Sequence, residues 1–159
     1  MNSELSRAEK IALEATELES FPVNLLEIRR SISLLLSEFG RYGFFDEYTL
    51  HSFVHIQEML HSLDWLVPSD TDRMMSKGDW FFIVLACYFH DLGLLITKDE
   101  FQNRDQTKFR VFCDDVLFSG VHGADYKARI EELEVNDREK LLYQEFVRFH
   151  HAARVRGFH

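Results

Sequence analysis

The sequence predicts an all-α fold, and three observations carry that reading. Apolar residues recur at three- and four-residue steps over most of the chain. The clearest apolar runs show no alternation of period two, the mark of a half-buried strand. Only two prolines and seven glycines punctuate 159 residues.

The elements follow in chain order. Leu5, Ala8, Ile11, Ala12, Ala15 and Leu18 keep helical spacing, and Ser20-Phe21-Pro22 ends this first helix. The residue before a proline is pushed out of the helical region, while proline itself suits the first turn of the next helix. A second helix is expected from Val23 to Phe39, with Gly40 and Gly43 stopping it. A third is expected from Asp46 to Trp65, closed by Pro68, and Ser69 to Lys77 reads as a polar loop. A fourth, Asp79 to Ile96, is apolar on nearly all sides and should be central. Lys98 to Asn136 is rich in charge and reads as one or two weaker helices around Ser119-Gly120-Val121-His122-Gly123. A last helix starts near Asn136-Asp137, both good caps, and runs on with no terminating signal.

Composition limits the function. The chain is 46% hydrophobic with fifteen Phe, which excludes a disordered chain. Its net charge of -9 argues against bulk-charge binding of nucleic acid. It does not exclude a small phosphorylated ligand held by a few local cations. The N-terminus is polar, without a secretory signal. The longest apolar run, Trp80 to Phe89, is about half the roughly 20 residues a membrane-spanning helix needs. Two cysteines, Cys87 and Cys113, make no disulfide framework and read as buried thiols of a reducing compartment. A cytoplasmic protein away from membranes is therefore expected.

The eight histidines are the chemical signal. His90-Asp91 ends the apolar run and is followed by Leu92-Gly93. Burying a carboxylate and an imidazole there is costly unless something pairs with them. A divalent metal would do so, and imidazole with carboxylate suits Mn, Fe, Zn or Ni. The plainer reading is a helix end with a hydrogen-bonded aspartate and a core histidine. His51 and His55 are four apart and share a helical face. They could bind one metal, act as ligand and neighbour, or form a polar edge. His150 and His151 occupy adjacent positions on the last helix. Together, three separate helices supply histidine, one of them as His-Asp.

These stretches resemble the HD-domain superfamily of metal-dependent phosphohydrolases. The resemblance rests on Tyr48-Thr49-Leu50-His51-Ser52-Phe53-Val54-His55-Ile56 and on Phe82 to Gly93 around His90-Asp91, with Arg148-Phe149-His150-His151-Ala152 behind. The first stretch is similar to a subgroup whose HD domain stands at the N-terminus of larger proteins, often with an Hsp90-like ATPase module downstream. The resemblance implies a compact HD-like helical bundle over residues 46–159, preceded by N-terminal helices in 1–45 that serve packing or self-association. It implies His55, His90 and Asp91 as metal ligands, with His51 as close neighbour and His151, or else His150, as a further ligand. One or two ions of Mn, Fe, Mg, Zn or Ni would be bound, with Asp91 able to bridge two.

The implied activity is hydrolysis of a nucleotide or other phosphoester. His51 and Asp91 would take catalytic roles, and Arg148 and Lys98 are the first candidates to neutralise phosphate. The family's last ligand, an aspartate on a later helix, has no match. The expectation is therefore an HD-like domain truncated at its C-terminus, with further domains in cis and a tendency to self-associate. The competing expectation is a degenerate HD domain that senses a nucleotide or docks a protein.

Overall fold

The computed structural model describes residues 4–16, 23–42, 53–106, 108–118 and 124–155. Among them are nine α-helices and no strand, so the all-α expectation holds. The chain divides into two units, Met1–Asp91 and Leu92–His159.

The first unit is built round α5 (Lys77–Phe89), against which α1 (Arg7–Thr16), α2 (Leu25–Tyr42) and α3 (Phe53–Leu66) pack. Helix α1 opens with a reciprocal cap. The Glu9 amide donates to Ser6 Oγ at 3.2 Å, and the Ser6 amide donates to Glu9 Oε2 at 2.7 Å. Ala8, Ala12 and Ala15 are fully buried, and their small side chains let α1 lie close on α5. Asn24 caps α2 by accepting from the Glu27 amide at 3.0 Å. Helix α2 continues through Gly40 to Tyr42 rather than stopping there. One glycine costs a helix only about 1 kcal/mol.

The expected start of the third helix at Asp46 lies outside the described residues. Ser69 to Lys77, read as a loop, instead contains α4 (Ser69–Met74). None of its residues is buried, so it carries no apolar periodicity to read. It forms because Asp70 and Asp72 occupy its first turn and Arg73 its last, where they complement the helix dipole.

Helix α5 begins at a second capping box, between Ser76 and Asp79. Trp80, Phe81, Val84 and Tyr88 fill the core of this unit, while Phe82 is 62% exposed. The fourth helix was expected to reach Ile96. It ends instead at Phe89, with His90 as its cap residue, so His90-Asp91 stands at a helix end and not within a helix. Leu92–Leu94 form a short 3-10 turn.

In the second unit, Lys98 to Asn136 holds three short helices rather than one or two: α6 (Lys98–Gln102), α7 (Phe109–Phe118) and α8 (Ala124–Glu131). The turn at 119–123 lies outside the described residues. Helix α9 (Val135–Val155) is the long element here, and Leu142, Tyr143, Phe146 and Val147 are its buried stripe. Tyr143 meets Phe101 and Phe109 edge-on, with ring centroids 5.2 and 5.1 Å apart. Arg138 closes the end of α8, donating to the carbonyls of Ile130, Glu131 and Leu133.

Helix α9 lies directly on the Leu92–Leu94 turn. A Cβ placed on Gly93 would stand 2.0 Å from the His151 carbonyl oxygen, so only glycine fits. Arg154 adds to this contact. Its Nε donates to the Gly93 carbonyl at 2.6 Å and its Nη2 to that of Leu95 at 3.0 Å, while Nη1 pairs with Glu100. Gly93→Ala should cost at least about 1–3 kcal/mol, the range for overpacking. Urea unfolding of the two proteins checks this.

The Glu9 carboxylate, 1% exposed, joins α1 to α2 and α5. Burial pushes its pKa up, but hydrogen bonds from Tyr88, Ser6 and Arg29 outweigh this and hold it below 4.5. A depressed carboxylate contributes stability above its unfolded pKa and loses it as pH falls through the folded value. The chain should therefore lose stability below pH 4.5, and Glu9→Gln should flatten that part of the profile. Urea midpoints measured from pH 6 to pH 3 test it.

Candidate metal centre

Three side chains predicted as ligands converge in the first unit. His55 lies on α3, His90 caps α5, and Asp91 follows it. One ligand atom from each lies within 4.8 Å of the other two. Asp91 Oδ2 stands 2.8 Å from His90 Nε2 and 3.8 Å from His55 Nε2. The two imidazole rings are 5.7 Å apart at 48°.

The backbone orients this set. His90 keeps αR geometry, and its amide donates to the Ala86 carbonyl. Its Nδ1–H donates to the Cys87 carbonyl at 2.8 Å, which aims Nε2 at Asp91. A ligand imidazole held through its other nitrogen is the usual arrangement in metal sites. The Asp91 side chain is only 12% exposed, His90 is 32% exposed and His55 44%, so the cluster opens to solvent on the His55 side.

Electrostatics follow from this burial. The Asp91 hydrogen bond raises the His90 pKa above 6.5, burial opposes that shift, and the Cys87 carbonyl adds to it. Its two ring nitrogens face oxygen acceptors, the Cys87 carbonyl and the Asp91 carboxylate.

Two imidazoles and a carboxylate fit a divalent transition ion, with positions left for water or substrate. His55, His90 and Asp91 would hold it.

The other predicted residues are placed as follows. His51 lies outside the described residues. His151 and His150 are on α9 in the second unit. His151 Nδ1 donates to the Arg148 carbonyl at 2.7 Å. His150 Nδ1 donates to the Phe146 carbonyl at 2.9 Å, and the ring packs on Phe146 and Phe149. Arg148 is exposed and pairs with Glu145 at 2.8 Å. Lys98 is an exposed first residue of α6.

Sequence reasoning passed over Arg154. Its signal was a cation at helical spacing from the buried Tyr143 and Val147. A cleft of about 440 Å³ in the first unit runs along α2 to Phe89. Asn24, Glu27 and Ser31 are its polar lining, and among the described residues no cation lines it.

An all-α fold with a histidine on one helix and a His-Asp pair closing another defines an HD-like domain. The HD-CE family model matches residues 45–158, more than half of the chain, and the chain belongs to that family. No curated protein sequence and no solved structure matches it.

The raised pKa of His90 sets a pH dependence with a definite sign. In the metal-free protein the His90–Asp91 pair contributes stability below pH 6.5 and loses it as pH rises through the folded value. Metal affinity should move the opposite way and rise over the same range, because the ion competes with a proton. Asp91→Asn should bring the His90 pKa down, and NMR titration of the imidazole measures it.

Proposed function

We propose that this chain is a metal-dependent phosphohydrolase-type HD domain acting on a nucleotide or another phosphoester. The observation that carries the reading is the convergence of His55, His90 and Asp91 on one small volume. When bound, a divalent ion would lower the pKa of a coordinated water towards about 7 and polarise a phosphoryl oxygen.

The chain's own residues do the rest. Cys87 holds the His90 ring by its Nδ1–H, so Nε2 meets its partner without reorganisation. Asp91 supplies the negative charge that selects a cation at a site where solvent reaches little of it. His55, the most exposed of the three, borders the side from which a phosphoester would approach. His51, four residues before His55, is proposed to orient water or hold the leaving group.

The cytoplasm is the proposed compartment. Cys87 and Cys113 are free thiols, and burial pushes both pKa values up, that of Cys113 to about 11, which keeps them unreactive. No helix among the described residues is long and apolar enough to cross a membrane.

One observation favours a second reading. Among the described residues the cluster contains three ligands and no second carboxylate. A degenerate HD domain that binds a nucleotide or a protein partner, beside further domains in cis or in a homo-oligomer, would show such a set. Metal content separates the two readings, because a binding module has no need of a stoichiometric ion.

The test is a phosphodiesterase and nucleotidase assay with added Mn²⁺ on this chain and on Asp91→Ala. The hydrolase reading expects metal at about one equivalent or more and turnover that the variant loses by at least tenfold to a hundredfold. Absence of both metal and turnover would refute it.

A further inference from the structure

Glu9, Arg29 and Tyr88 form a buried polar network that the proposed chemistry does not use. The Glu9 carboxylate accepts from Tyr88 Oη at 2.5 Å, from Arg29 Nε at 2.8 Å and from the Ser6 amide at 2.7 Å. Tyr88 is fully buried, and the Arg29 side chain is 15% exposed. Taking a carboxylate and a guanidinium out of water is expensive, and well-packed apolar residues often serve stability as well. What the network supplies is geometry, since a guanidinium, a phenol and a carboxylate satisfy one another only in a narrow range of positions.

That geometry is delivered beside the metal cluster. Arg29 lies over the Phe53 ring at 4.9 Å, and the Phe53 and Tyr88 rings are 6.2 Å apart. Phe53 stands two residues before His55 on α3, and Tyr88 two residues before His90 at the end of α5. One network therefore ties α1, α2, α3 and α5 within a single turn of both ligand histidines. Glu9 and Arg29 lie outside the family-matched residues 45–158.

We propose that Glu9, Arg29 and Tyr88 are positioning residues that set α3 against α5 so that His55 and His90 meet at Asp91. This rests on the metal-site reading. It makes the N-terminal helices part of the support of the metal centre, although the family match does not include them.

The experiment uses the full chain with Tyr88→Phe and Glu9→Gln, and Val116→Ala as a core substitution elsewhere. Two quantities are read. One is Mn²⁺ affinity by calorimetry. The other is the NMR cross-peak between the His55 and His90 rings in metal-free protein. Circular dichroism reports folding. The proposal expects both network variants to stay helical, weaken or lose the cross-peak, and bind Mn²⁺ about 10–100-fold more weakly, the usual effect of removing a ligand's support. Val116→Ala should lose stability and keep both readings. Retention of the cross-peak and the affinity in both network variants would overturn it. If Glu9→Gln does not fold, Tyr88→Phe, which loses one hydroxyl, decides. If the unaltered chain binds no Mn²⁺, the metal reading fails by itself, and the cross-peak alone decides the positioning: its loss supports the proposal and its retention overturns it.

Discussion

Asp91 follows the cap of α5, the most apolar of the described helices, with a side chain only 12% exposed. A carboxylate held there must be met by positive charge or hydrogen bonds, or it would not ionise. His90 meets it directly at 2.8 Å, and His55 on α3 stands 3.8 Å away. The rest of the first unit serves that meeting. Helix α5 must end at Phe89 so that His90 and Asp91 leave the helix side by side. Helix α3 must pack at a depth that brings His55 level with them.

The first unit buries a second carboxylate and treats it differently. Glu9 is 1% exposed and is satisfied by Tyr88, Arg29 and the Ser6 amide, with its pKa held down. Asp91 has imidazole partners, which are themselves ligand types for a metal. The same cost of burial therefore yields a fixed joint at one carboxylate and a candidate metal site at the other. The second unit uses a third device, a guanidinium, to satisfy the backbone of a turn. Arg154 takes the carbonyls of Gly93 and Leu95, and Tyr143 and Glu100 complete the set.

Where the sequence was legible, the residue pattern and the physics coincided. The Ala8–Ala12–Ala15 spacing announced the buried face of α1. The capping pairs Ser6/Glu9 and Ser76/Asp79 at the starts of α1 and α5 emerged only in the structure. The apolar run before His90 announced the core helix. Helix α4 was missed because it buries nothing, and a helix favoured by charge at its ends has no apolar period. The end of α5 was missed for the opposite reason. Leu92, Leu94 and Ile96 continue an apolar pattern and are buried, yet outside any α-helix; Leu92–Leu94 form a turn against α9, and Gly93 is where the backbones touch.

The sequence by itself determined the class of fold and the chemistry available to the site, since helical periodicity and the His-Asp dipeptide are local properties of the chain. Spacing alone left His51 and His55 equivalent, because residues four apart share a face, and the resemblance pointed to His55. Tertiary structure placed His55 in the cluster, since only the packing of α3 on α5 sets the distance between side chains 36 residues apart. It also decided that Glu9 and Arg29 meet Tyr88. No local pattern encodes that meeting, because long-range contacts depend on the angles at which whole helices cross.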